Sequence, residues 1–303
     1  MSREIMGAGS KSFAQATQLF DPETRAGAYL LYAWCRRCDD AIDGQELGHG
    51  HEPLTPEEQR RRLDGLYAQT RAALAGEPMQ DPIFRAFQAV AQRYAIPPAP
   101  ALALIDGFAM DVEGRRYRTL DELLLYCWRV AGVVGVMMAH VMGVRDAATL
   151  ERAGDLGLAF QMTNIARDVI EDAGNGRVYL PLDWISELGV PEGAVADPAH
   201  REAVFAAAQR LLRAADPYYD SALEGIARLP FRSAWAIASA RGVYRDIGLK
   251  LQAGGPAAWN RRVSTGKAAK LARVGEAALV AAKAVTLDRA RPTSLRAGLW
   301  SPP

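Results

Sequence analysis

The sequence has only three cysteines in 303 residues, no long uncharged apolar run and no excess of either charge. Each absence narrows the field. A small, odd set of thiols (Cys35, Cys38 and Cys127) does not staple a secreted scaffold and suits a reducing, cytoplasmic compartment. The 36 basic side chains nearly cancel the 35 acidic ones, so a net charge of +1 offers no field that would draw nucleic acid. The most apolar stretch, Val130 to Val144, is bounded by Arg129 and Arg145 and contains His140. It is too short for a bilayer crossing and reads as a buried core helix. Met1 to Phe20 carries Arg3, Glu4 and Lys11 and lacks the apolar centre of a signal peptide. No Walker-type glycine loop is present, which removes support for a P-loop nucleotide site. The Cys35-x-x-Cys38 pair has no second pair and no preceding strand, so it reads as small core-facing thiols rather than zinc or redox chemistry. His49 and His51 sit in a glycine-broken stretch that reads as a solvated connection rather than a metal site.

What the chain does have is helical pattern. Strict alternation is scarce, and Ala, Leu, Arg, Glu and Gln dominate. Apolar residues recur at spacings of three and four over roughly 24–43, 57–75, 82–95, 100–112, 120–143, 147–173, 199–228 and 231–253. A polar stretch from Gly44 to Pro56, a proline-rich one from Ala95 to Pro100 and Gly174-Asn175-Gly176 separate them. The expected architecture is one all-α domain over 1–290. The Pro-containing tail, 291–303, has no helical period and is a candidate for disorder.

Two of these helices carry an acidic stripe. At 100° per residue, Asp39 and Asp43 lie about 40° apart, with Arg36 and Tyr32 on the same arc and Asp40 rotated toward a supporting position. In the second, Asn164, Asp168 and Asp172 follow one another at i+4, and Gln161 falls inside their arc of about 80°. Leu156, Phe160, Ile165 and Val169 flank this stripe, whereas a solvated outer face would carry Lys and Glu. Carboxylates stacked at i and i+4 repel unless something positive sits between them, and a hard divalent cation with oxygen ligands is the natural candidate. Mg²⁺ prefers few carboxylates together with phosphate oxygens and water, so a diphosphate, with arginines completing the charge, fits the pair of stripes.

A third segment, Tyr126 to Gly143, has two faces. Tyr126, Val130, Val133 and Met137 share one arc, and Gly132, Gly135, Ala139 and Gly143 share a nearly opposite one. The small face permits close helix packing. Ordinary core accounts for the large one, but a tyrosine at its head favours a lined tunnel.

These residues resemble the squalene/phytoene synthases, in particular their bacterial phytoene branch. The resemblance rests on GSKSF (9–13), YAWCRRCDDAIDG (32–44), GFAMDV (107–112), YCWRVAGVVG (126–135), QMTNIARDVIED (161–172), GRVYLP (176–181) and RSAWAIASARGVYRDIG (232–248). It implies the isoprenoid-synthase fold, a helical bundle around a deep cavity. It also implies Mg²⁺, with Mn²⁺ as the alternative ion, held by Asp39 and Asp43 on one side and Asn164, Asp168 and Asp172 on the other. Contacts to substrate or diphosphate would fall to Ser10, Lys11, Ser12, Tyr32, Arg36, Gln161, Arg167 and Tyr244, with Arg262 as a further phosphate contact where the match is looser. Tyr126 would relay a proton, and Val130, Val133, Val134 and Met137 would wall off carbocations from water.

The implied reaction joins two geranylgeranyl diphosphates head to head through a cyclopropylcarbinyl diphosphate to a C40 hydrocarbon, without NADPH. The rivals are a squalene or dehydrosqualene synthase using farnesyl diphosphate, a Mg²⁺-dependent terpene cyclase and a non-catalytic helical scaffold. A water-insoluble product leaves peripheral membrane contact open, and the sequence carries no mark of oligomeric state.

Overall fold

The computed structural model describes residues 16–44, 54–261, 263, 266–291, 294 and 296–303. Among them there is no strand. The helices are α1 (Pro22–Asp43), α2 (Pro56–Ala75), α3 (Pro82–Arg93), α4 (Pro98–Val112), α5 (Leu120–Cys127), α6 (Val133–Val141), α7 (Ala147–Gly174), α8 (Leu182–Glu187), α9 (Arg201–Ile226), α10 (Phe231–Gly254) and α11 (Lys267–Lys283). All eight expected helical segments are present. The fifth is divided, because a π-helical turn, Trp128–Gly132, joins α5 to α6. Two helices were not foreseen. One is the short α8. The other is α11, whose exposed Leu271 and Leu279 blur any one-sided apolar stripe.

Several prolines begin helices instead of merely separating them. Asp21, Thr55 and Asp81 each cap an N-terminus by accepting backbone N–H bonds, and Pro22, Pro56 and Pro82 follow in the first turn, where a missing N–H costs nothing. Gly44 and Gly76 close α1 and α2 with φ of 63° and 81°, a conformation that favours glycine.

The core has two apolar clusters. One holds Trp34 of α1 stacked on Phe87 of α3, with ring centroids 3.9 Å apart, and both rings are fully buried. The other gathers α5, α7, α8 and α9 around residues such as Leu158, Met162 and Leu211. Each buried side chain of this size contributes roughly 1.5–3 kcal/mol.

The central helix α7 packs against α6, the π turn, α9 and α10. Its approach to the π turn and α6 is set by glycines. A Cβ on Gly135 would overlap the Ala153 carbonyl, and one on Gly157 would overlap the Ala131 carbonyl. Gly132 and Gly154 leave room for the Trp128 ring. The small face therefore packs closely, as its spacing predicts, except that Gly143 serves a turn at φ 87°.

By length and apolarity alone, 120–141 could cross a membrane. In the fold this stretch runs through the interior, packed against α4 and α7.

Among the described residues after Ala290 there is no helix, and several of them are tied to the body of the fold. Arg296 forms an ion pair with Asp155 of α7, and the Trp300 N–H donates to the Tyr218 hydroxyl of α9. A buried partner 141 residues earlier leaves no periodic trace in the tail's own sequence.

Candidate active site

A cavity of about 310 Å³ runs alongside α7, lined by α1, the π turn, α6, α7, α9 and α10. Its wall is almost entirely apolar. Tyr32, Gln161, Asn164 and Tyr244 lie at its polar end. There it adjoins a chamber of about 180 Å³ lined by Tyr126, Gln161, Asn164, Arg167, Asp168, Asp172 and Tyr179. Gln161 and Asn164 belong to both spaces, so an apolar chain in the first can present a polar head to the second.

The π turn decides which side chains form the wall. The Val133 N–H reaches the Trp128 carbonyl, so one extra residue is taken into the turn. Every later position is thereby shifted by one. Val130 and Val134 line the cavity as expected, but Met138 does so in place of Met137. Val133 (1% exposed) and Met137 (0%) are packed in the core instead. This corrects their assignment as wall residues, which assumed an unbroken α-helix.

On α1, the Arg36 guanidinium pairs with Asp39 at 2.9 Å and with Asp40 at 3.0 Å. Asp40 is buried and thus anchors the arginine. Burial, reinforced by Asp43, raises the Asp39 carboxyl to about 7. On α7, Arg167 pairs with its neighbour Asp168, and Asp172 is raised to about 7 by burial and by the Asp168 charge. Burial also lifts the Tyr32 phenol to about 12. Cys35, on the same helix, is raised to about 12 by burial and lines the cavity, while Cys38 is buried in the core. All three cysteines are free.

The group that joins the two stripes was not foreseen. Arg177 reaches from the segment after α7 to Asp43 at 2.7 Å. Burial opposes its charge, but Asp43 overcomes that and raises its pKa. Next to it stands Asp111 of α4, which accepts hydrogen bonds from Tyr126 (3.1 Å) and Tyr179 (2.9 Å). The two tyrosine rings stack with centroids 5.0 Å apart. Burial pushes Asp111 up to about 6 although Arg177 and both hydroxyls draw it down. The only sequence signal for these residues was their place in the quoted stretches GFAMDV and GRVYLP. Nothing in helical spacing could pair positions 68 residues apart.

The profile of the squalene/phytoene synthase family matches residues 6–269. A phytoene synthase of Pseudescherichia vulneris is 51% identical over 99% of this chain and 96% of its own length. The chain belongs to the squalene/phytoene synthase family. A 15-cis-phytoene synthase of Enterobacter agglomerans is likewise 51% identical, over 98% of this chain and all of its own. Among solved structures, a dehydrosqualene synthase superposes with a TM-score of 0.81 at 26% identity, covering 91% of this chain and 93% of that one. The isoprenoid-synthase fold expected of the family is the one observed.

The acidic stripes of this squalene/phytoene synthase suit a divalent ion shared with substrate. Among the described residues, no three His, Cys, Asp or Glu side chains close into a cage. Crowded carboxylates, two of them raised to about 7, leave oxygen ligands that a cation would relieve. Of the remaining expected contacts, Tyr32, Gln161 and Tyr244 line the cavity, and Arg167 faces the polar chamber. Tyr244 stacks on Phe160 at 4.1 Å. Ser10, Lys11, Ser12 and Arg262 lie outside the described residues, as do His49 and His51.

Proposed function

We propose that this chain is a 15-cis-phytoene synthase, joining two geranylgeranyl diphosphates head to head through a cyclopropylcarbinyl diphosphate. The observation that carries the reading is a long apolar cavity adjoining a chamber of carboxylates, amides and an arginine, in a chain about half identical to bacterial 15-cis-phytoene synthases over nearly its full length.

Asp39 and Asp43 from one side, and Asn164, Asp168 and Asp172 from the other, would hold Mg²⁺ or Mn²⁺ with the diphosphates. A divalent ion there supplies Lewis-acid charge to the departing diphosphate. Arg36, Arg167 and Arg177 are paired to carboxylates and stand ready to exchange them for diphosphate oxygens. The stacked Phe160 and Tyr244 present aromatic faces beside the cavity, where a passing allylic cation gains attraction from the ring quadrupole. Val130, Val134 and Met138 keep water from that cation.

Closing the cyclopropane releases a proton. The Tyr126 oxygen can take it while passing its own to Asp111, which is raised to about 6 by burial. The likeness to 15-cis-phytoene synthases supports a reaction that ends in proton loss rather than hydride transfer. The free thiols support a reducing, cytoplasmic setting, with the hydrocarbon product delivered to a membrane at the protein's periphery.

Purified protein with Mg²⁺ and geranylgeranyl diphosphate should give 15-cis-phytoene without NADPH, identified by mass and retention. Strict NADPH dependence, a cyclic C20 product or exclusive use of farnesyl diphosphate would overturn the reading.

A further inference from the structure

The end of the cavity away from the polar chamber is apolar except for Thr149 and Arg152 of α7. Arg152 of α7 is the one charged side chain in the cavity's lining among the described residues, and it is only 3% exposed. It stands twelve residues before Asn164, so by helical rise it lies about 18 Å from the polar chamber.

Its guanidinium is fixed from several sides. Nη1 donates to the Ser221 hydroxyl (2.9 Å), and Nη2 donates to the Ser294 carbonyl (2.6 Å) and pairs with Glu224 (3.0 Å). Nε meets no acceptor among the described residues. Ser221 passes the connection on, donating to Asp155 at 2.5 Å. Asp155 is fully buried and receives both arms of Arg296 from the tail, at 2.5 and 2.9 Å. The tail therefore holds an arginine in the cavity wall remote from the polar chamber.

A charge network in a core is a poor way to gain stability, since apolar packing of the same volume does as well or better. A paired guanidinium is, however, an effective stop. A hydrocarbon chain pressing against it offers nothing to replace its hydrogen bonds, and moving it would strand buried charges.

From this we infer that Arg152, clamped by the C-terminal tail through Ser221 and Asp155, is a specificity-determining residue that sets the longest prenyl chain the enzyme accepts. The inference rests on the prenyl-diphosphate reading above. Arg152 acts on chain length alone and is distant from the chemistry.

The test compares kcat/KM of full-length wild type, Arg152→Ala and Gly225→Ala on the C15, C20 and C25 prenyl diphosphates, with products identified by mass. Arg152→Ala shortens the stop and should raise the C25-to-C20 ratio by about tenfold, the discrimination that a methylene or more of apolar space commands. C20 turnover should stay within about threefold of wild type, because the polar chamber is untouched. Gly225 lines the same end, and a Cβ there would come within 3.0 Å of the Arg152 Cβ. Its alanine variant should fill the end and raise the C15-to-C20 ratio.

Arg152→Ala that is folded and active on C20 with an unchanged C25-to-C20 ratio overturns the inference. If Arg152→Ala does not fold, an unchanged C15-to-C20 ratio in Gly225→Ala overturns it instead. Wild type that makes no C40 hydrocarbon from the C20 substrate overturns the functional reading, a different and separately visible failure.

Discussion

The two halves of α7 treat their aspartates in opposite ways. In the N-terminal half, Asp155 is completely buried, yet Ser221 and both arms of Arg296 satisfy it. In the C-terminal half, Asp172 is less enclosed, yet it is raised to about 7 by burial and the neighbouring Asp168 charge. Depth of burial is therefore not what leaves a carboxylate ready for a ligand. What separates the two halves is whether the fold supplies matching donors or adds a second acid. One half is finished as structure, and the other is left with its charge unbalanced.

Substitutions can break that contrast. The largest effect is expected at the unbalanced half. Asp168→Ala, or Asp39→Ala in the facing stripe, should lower kcat by about a thousandfold or more, because the charge that stabilises the leaving group is lost. Circular dichroism should show an intact helical fold, and near-normal turnover in either variant would remove the metal assignment.

At the finished half the loss should be structural. Asp155→Ala strands a buried arginine and should cost about 3–5 kcal/mol in chemical denaturation. A loss confined to activity would contradict it.

Between these extremes, Asp111→Asn should reduce kcat by about 10- to 100-fold, the range of a displaced acid–base partner, with KM nearly constant. An unchanged kcat would mean that the tyrosine pair needs no carboxylate.

The smallest effect concerns pH. Asp39 and Asp172 have folded-state pKa values raised from the ordinary 3.8 to about 7, so the folded state holds more protons than the unfolded one across that interval. Stability measured with a chelator should then fall as pH rises from about 4 to about 7. Adding Mg²⁺ should raise Tm more at about pH 7.5 than at about pH 5, and Asp172→Asn should narrow the difference. An equal Mg²⁺ effect at both pH values would break the comparison between the two halves.

How much of this was legible in the sequence depended on range. The acidic stripes were, because i and i+4 partners share a helix face whatever the tertiary fold does. Helix spans were equally clear, since caps such as Asp21 and Thr55 and the apolar period both act locally. The cluster of Asp111, Tyr126, Tyr179 and Arg177 was not legible, because its members come from three separate segments that only the folded chain brings together. The ties of the tail were hidden for the same reason. Val133 and Met137 failed differently. Their periodicity was read correctly for an α-helix, but a turn with one additional residue put their neighbours on the wall.

That turn makes the lining unusually easy to rewrite. Because α6 keeps its register with the cavity through the extra residue, straightening the turn between Trp128 and Gly132 into plain α-helix at constant length would act as a frameshift in space. The wall and core sets of α6 would trade places in one step: Val133 and Met137 would swing toward the substrate, and Val134 and Met138 would swing away. Substitutions within Trp128–Gly132 that favour or disfavour the wide turn would therefore sample changes of pocket shape that substitutions on the wall itself reach only in combination.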